Sequence, residues 1–170
     1  GFDTPAALGR WAPMDATPNL RLAGVDGEPA AVAEADLADI HERLSWDREV
    51  DLDLGHYGRF TVWLNAGPVE ALRGGTLYFE SEGGWLAGGF AIERPGWQRI
   101  TLAKGDFFRE GDPAGWHRIK RIRLSVWKTG GTEARASVKL RSISAWADTV
   151  AVVRGNLSII NGTAEAQGVE

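Results

Sequence analysis

Residues 75–92 read Gly75-Thr76-Leu77-Tyr78-Phe79-Glu80-Ser81-Glu82-Gly83-Gly84-Trp85-Leu86-Ala87-Gly88-Gly89-Phe90-Ala91-Ile92. In the first half, Leu77 and Phe79 alternate with Thr76, Tyr78 and Glu80. In the second, Leu86, Phe90 and Ile92 share one parity with Gly88, opposite Trp85, Ala87, Gly89 and Ala91. A period of two marks a strand with one buried and one wet face, because successive side chains point to opposite sides of a sheet. Glu82-Gly83-Gly84 supplies a turn between the halves. Segments 75–81 and 85–92 are therefore expected to pair as a hairpin.

The same alternation recurs outward in both directions. Val50, Leu52 and Leu54 alternate with Glu49, Asp51 and Asp53, and Phe60, Val62 and Leu64 with Thr61, Trp63 and Asn65. Ile100 and Leu102 alternate with Arg99 and Thr101, and Ile122, Leu124 and Val126 with Arg121, Arg123, Ser125 and Trp127. Val138 and Leu140 alternate with Lys139 and Arg141. Gly55, Gly58, Gly67-Pro68, Gly74-Gly75, Pro95-Gly96 and Gly130-Gly131 punctuate these segments; glycine and proline favour turns and break ladders. One-face alternation at this density predicts an all-β jelly-roll sandwich of two antiparallel sheets. In the usual jelly-roll order, segments 48–54, 119–128, 75–81 and 85–92 share one sheet. Segments 59–66, 97–103 and 135–144, with an early strand, make the other.

The remaining stretches are less regular. Residues 1–29, with Pro5, Pro13, Pro18 and Pro29, read as an irregular lead-in with a short strand near 19–23. Residues 30–40 are alanine-rich and fit a short helix or a strand equally. Residues 104–118 read as a long connection with Phe107, Phe108 and Trp116 packed beneath it. The sandwich domain is expected over 1–148. Residues 149–170 carry an apolar run at 150–153 and a helix-prone 164–167, and read as a linker or the start of a following domain.

Composition narrows the class. The chain has 170 residues, 44% of them hydrophobic and 25% charged, which suits one globular domain. Its 22 glycines are about twice the usual share of roughly 7%, in keeping with many turns. A formal net charge of −4 opposes non-specific nucleic-acid binding, which needs a basic face. With no cysteine, disulfides, thiol nucleophiles and thiolate zinc sites are excluded. No apolar run is long enough to span a membrane as a helix.

The ordered run Trp46-Asp47-Arg48, Val50-Asp51-Leu52-Asp53-Leu54, Gly84-Trp85, Gly96-Trp97-Gln98-Arg99-Ile100, Asp106-Phe107, Gly115-Trp116-His117-Arg118-Ile119 and Ile122-Arg123-Leu124-Ser125 resembles galactose-binding-domain-like β-sandwiches. These include carbohydrate-binding modules attached to bacterial glycoside hydrolases. The resemblance covers roughly residues 46–145 and rests on spaced aromatic, glycine and alternation cues. It implies a non-catalytic sugar-binding accessory module, often with a structural calcium, in a larger glycan-active protein. An extracellular or cell-envelope location in a bacterium goes with it; the cytoplasm is the alternative.

The outward positions of the first sheet supply candidate binding residues. Small Ala87, Gly89 and Ala91 leave a shallow groove, and parity places Trp85, Tyr78, Glu80, Arg123, Ser125 and Trp127 around it. Aromatic faces stack on pyranose rings, and charged side chains hydrogen-bond vicinal hydroxyls. Trp127, Arg123, Tyr78, Trp85, Glu80 and Asp51 are the carbohydrate-binding candidates. The bland alternative covers these aromatics with the lead-in or a following domain. Asp51 and Asp53 face Arg121 and Arg123 either as cross-strand ion pairs or as ligand contacts. Trp63, Asn65, Arg99 and Arg141 form a second outward patch on the other sheet, read first as a domain interface. Trp46, Trp97, Trp116 and Trp146 are expected to plug the sandwich.

Asp51-x-Asp53-x-Gly55 begins like an EF-hand loop but lacks the third acid and the distal Glu, so that reading fails. Asp26, Glu28, Asp36 and Asp148 remain as calcium candidates. His41, His56 and His117 lack metal-ligand spacing, and no nucleophile elbow, zincin or phosphate-loop signature occurs. The expectation is a domain that is not itself an enzyme. The alternatives are a docking module that binds no sugar and a jelly-roll polysaccharide lyase or hydrolase.

Overall fold

The computed structural model describes residues 2–131, 133–147, 157–160 and 163–166. A one-turn helix α1 (Pro5–Leu8) precedes strands β1 (Ala12–Pro13), β2 (Arg21–Val25), β3 (Glu28–Asp36), β4 (Arg43–Leu52), β5 (Tyr57–Gly67), β6 (Leu72–Ser81) and β7 (Gly84–Phe90). Then follow β8 (Gln98–Ala103), β9 (Phe108–Gly111), β10 (Ile119–Lys128), β11 (Arg135–Ala147), β12 (Leu157–Ile160) and β13 (Thr163–Ala166). A six-stranded sheet has the order β1-β4-β10-β6-β7-β9, and a five-stranded sheet has the order β2-β3-β11-β5-β8. Every pairing is antiparallel. The alternating segments thus distribute between two sheets as the sequence predicts, and the hairpin β6–β7 forms with Glu80 opposite Trp85.

The core lies between the sheets. Leu44, Trp46, Leu77, Phe79, Leu124 and Val126 face it from one side, and Phe60, Val62, Leu64, Val138 and Leu140 from the other. Phe60, Phe79, Phe107 and Trp116 form one aromatic cluster, with Trp116 stacked on Phe60 at a centroid distance of 5.0 Å. Gly88 makes room for it: a Cβ there would lie 2.7 Å from the Phe107 ring. Gly83, at φ +84°, takes the left-handed turn that closes the hairpin, a conformation that costs glycine little.

Several stretches depart from the sequence reading. The ambiguous 30–40 run is strand as far as Asp36, with Ala31, Ala33 and Ala35 pointing into the core. The 104–118 connection contains an edge strand, β9. Its register puts Phe108 opposite Ala87 on the outer face, so Phe108 is 55% exposed while Phe107 and Trp116 pack inward. The lead-in inserts Phe2, Leu8 and Trp11 into the core, and Pro18 accepts the Trp46 indole N–H at 2.8 Å. Residues 163–166, which overlap the stretch 164–167 expected to be helix-prone, pair with β12 as a strand. The apolar run 150–153 lies outside the described residues. Among the described residues no helix is long and apolar enough to cross a membrane.

Candidate functional site

The outer face of the six-stranded sheet is built from one row per strand. β10 contributes Arg121, Arg123, Ser125 and Trp127, and β4 contributes Glu49, Asp47, Ser45 and Arg43 opposite them. On the other side of β10, β6 adds Glu80, Tyr78 and Thr76, and β7 adds Trp85, Ala87 and Gly89. Ser45, Ser125, Thr76 and Ala87 are buried although they point away from the core. Taller side chains around them leave a floor of small residues. Ser45 and Ser125 share a hydrogen bond of 2.7 Å along it.

The taller side chains are held by one another. Arg123 donates to both carboxylate oxygens of Asp47, at 2.6 and 2.8 Å, and its guanidinium lies 4.5 Å from the centre of the Trp85 ring. Tyr78 meets Trp85 edge to face at 5.9 Å. Glu80 pairs with Arg121 at 3.3 Å. Trp127 lies opposite Gly74, which offers no side chain, and its indole N–H donates to Thr76 Oγ1 at 2.9 Å. Arg43 and Arg73 sit 4.8 and 5.4 Å from its ring. The Asp47 hydrogen bonds hold the Arg123 guanidinium above its ordinary pKa, against the opposing effect of partial burial. It therefore stays charged at every pH at which the fold is of interest.

Five of the six candidates, Trp127, Arg123, Tyr78, Trp85 and Glu80, thus share one face. Asp51 does not join them. It falls within the register shift, between Glu49, which pairs with Arg121, and Leu52, which pairs with Ile119, and the carboxylate opposite Arg123 is Asp47. Asp51 is exposed, and Asp53 instead accepts from the Gly55 backbone N–H at 2.8 Å. Asp47 was legible: extending the alternation of 49–53 by one step puts it on the outward parity. Arg43 and Arg73 carry no comparable sequence signal.

The outer face of the five-stranded sheet differs. Leu140 and Ser142 flank a β-bulge in β11, and a bulge reverses which parity faces the core. Before it Val138 and Leu140 point inward; after it Ile143 and Ala145 do. Ser142, Ser144 and Trp146 therefore point outward. Trp146, expected as a plug, is 49% exposed, beside Trp63 at 39%. Trp97 also leaves its expected role as a plug: it meets Trp63 edge to face at 6.1 Å and donates to Asp26 at 2.9 Å. Trp46 and Trp116 do pack in the sandwich. Arg141, beside the bulge, places its guanidinium 4.2 Å from the Trp97 ring and 5.1 Å from that of Trp63.

With both faces described, comparison with solved structures identifies relatives of the fold. The architecture is that of carbohydrate-binding β-sandwich modules. The chain is similar to TmCBM61, solved in complex with β-1,4-galactotriose, at 13% identity and a TM-score of 0.51, covering 82% of this chain and 90% of that one. It is also similar to a family 11 carbohydrate-binding module from Clostridium thermocellum, solved with a β-1,3-1,4-mixed-linked tetrasaccharide, at 10% identity and a TM-score of 0.53, covering 77% and 88%. An agarase, AgWH50C, matches at 14% identity and a TM-score of 0.50 over 77% of this chain but 21% of its own. No protein-family model and no curated protein sequence matches the chain.

The calcium candidates do not assemble among the described residues, where no group of three or more His, Asp or Glu side chains gathers. Glu28 and Asp36 sit at opposite ends of β3, about 26 Å apart at the usual strand rise. The Asp26 carboxylate is engaged by Trp97, and Asp148 lies outside the described residues. His41, His56 and His117 are all exposed and stand on separate segments.

Proposed function

We propose that the chain is a carbohydrate-binding module that holds a neutral β-linked glycan on the outer face of the six-stranded sheet. The observation that carries the reading is the interlocked set Trp127–Thr76, Arg123–Asp47 and Trp85–Tyr78 around a floor of small residues. Each part has a chemical use. Indole rings offer apolar faces for the C–H side of a pyranose, and the paired Arg and Asp present fixed donors and acceptors at hydroxyl spacing. Because these side chains already constrain one another, little rotamer freedom is left to lose when a sugar docks. At the centre of the face Arg123 and Arg121 are neutralised by Asp47 and Glu80, which suits an uncharged ligand there. The module's role is accessory, in a larger exported glycan-active protein. The agarase match, which spans a minor part of that chain, supports such an arrangement.

The ligands of the structural neighbours name the probes. Calorimetry with β-1,4-galactan and mixed-linkage β-glucan oligosaccharides should show saturable binding by the 170-residue chain. Trp127→Ala and Trp85→Ala should each weaken it by about tenfold or more, as expected for aromatic anchors. The reading fails if wild-type protein binds neither glycan, nor amorphous cellulose, nor agarose. It also fails if both substitutions leave binding intact.

A further inference from the structure

The three tryptophans on the five-stranded sheet are not an isolated surface feature. Trp63, Trp97 and Trp146, with Arg94 and Arg99, line an open cavity of about 550 Å³. That falls within the roughly 300–1,000 Å³ usual for small-ligand sites. Its remaining lining is hydroxyl-bearing: Thr61, Ser142 and Ser144. Thr61 Oγ1 accepts the Trp146 indole N–H at 3.0 Å, which fixes that ring over the floor. Arg99 reaches across β5 to within 5.3 Å of the same ring. Nearly half of the Trp146 surface remains open to solvent.

Charge decides the ligand class. Arg21, Arg109, Arg118, Arg121 and Arg123 all have an acidic partner. Arg94 and Arg99 have none among the described residues, and no acid lines the cavity. Two uncompensated guanidiniums beside exposed indoles favour an anion that also offers an apolar face. A uronate ring combines both: its C–H side suits an indole, and its carboxylate suits an arginine fork.

We propose that this cavity is a second glycan site, selective for an acidic sugar, on the face opposite the neutral-glycan surface. The register shift in β11 creates it, because without that shift Ser142, Ser144 and Trp146 would point into the core. The two sites share no side chain, so this inference and the reading of the first face fail separately.

The test is calorimetry of the full chain with oligogalacturonate, oligomannuronate and glucuronoxylan fragments, in low and high salt. At least one should bind. Trp146→Ala and Arg99→Gln should each weaken that binding roughly tenfold, and Trp127→Ala should leave it unchanged. Methyl esterification of oligogalacturonate should weaken it likewise if that is the oligomer bound. Trp146 and Arg99 are exposed, so both variants should keep the wild-type circular dichroism and unfolding midpoint. The proposal is overturned if no uronate binds, if the bound uronate is unaffected by Trp146→Ala, or if a neutral oligosaccharide binds there as tightly. Equal competition by poly-glutamate would assign the cavity to acidic peptide instead. Loss of quencher access to Trp63 and Trp146 in a longer version of the protein would make this face a docking surface.

Discussion

The two outer faces use the same residue types and do opposite things with them. Each sets arginines against tryptophans on an exposed sheet. On the six-stranded sheet the central arginines are neutralised, Arg123 by Asp47 and Arg121 by Glu80, while Arg43 and Arg73 lean on the Trp127 ring at its end. Beside the five-stranded sheet Arg94 and Arg99 have no acidic partner among the described residues, and Trp63 and Trp146 are the more exposed rings. A composition of tryptophan plus arginine therefore does not specify a ligand. What separates the faces is where the counter-charges sit. A face that satisfies its own charges presents fixed dipoles, and a face that does not is an anion trap.

The most disruptive way to break this contrast is to remove the counter-charge. The Arg123 and Asp47 side chains are only 15% and 16% exposed. Asp47→Ala strands a largely buried guanidinium, and removing one partner of such a pair typically costs about 3–5 kcal/mol. Arg121, 3.7 Å from Asp47, loses a partner too. We expect a loss of about 3 kcal/mol in urea unfolding, with most of it recovered in Asp47→Ala/Arg123→Met, because an apolar pair of similar volume leaves no charge unpaired. Arg99→Ala on the other face should stay within about 0.5 kcal/mol of wild type, as an exposed side chain with no ion-pair partner among the described residues. Equal costs on the two faces would erase the distinction.

Ionic strength gives a milder contrast. Binding of a uronate at the three-tryptophan cavity depends on unscreened arginines. Raising salt from about 50 mM to about 500 mM shortens the screening length to a few ångströms and should weaken that binding several-fold. Binding of neutral β-glucan or galactan to the six-stranded face should change by less than about twofold, since its ion pairs are internal and partly buried. Titrations at the two salt concentrations check both halves. A salt-sensitive neutral site would mean that the Arg123–Asp47 pair opens to bind.

How much of this was legible in the sequence follows from parity. Wherever alternation runs unbroken, it placed residues on the correct sheet and face: Tyr78, Glu80, Trp85, Arg123 and Trp127 all follow from counting by twos. Counting fails where the register slips. The shift near Ile119 leaves Asp51 without a match in the ladder, and the bulge after Leu140 turned Trp146 from a plug into a wall of a cavity. A bulge inserts one residue with no compositional mark when neither neighbour is glycine, so the local sequence contains nothing to announce it. Phe108 escaped for a related reason: β9 has four residues, too few for a period to be read.

The smallest expected effect tests exposure and charge together, without any ligand. Trp63 and Trp146 are the two tryptophans prominent among the exposed large hydrophobic residues, and one sits under Arg99 while the other sits by Arg141. Collisional quenching of tryptophan fluorescence should therefore fall mainly on this face. The Trp63→Phe/Trp146→Phe variant should lose most of the iodide-accessible emission, whereas Trp46→Phe, deep in the core, should not change that fraction. Because guanidiniums attract anions, the ratio of iodide to caesium quenching should exceed that of free N-acetyltryptophanamide. Arg99→Gln should narrow the gap by less than about twofold, with high salt narrowing it further as screening takes over. If the iodide-to-caesium ratio in wild-type protein is no higher than that of free N-acetyltryptophanamide, the local field is not positive and the charge contrast between the faces is lost. The shape of the cavity would then have to account for any selectivity by itself.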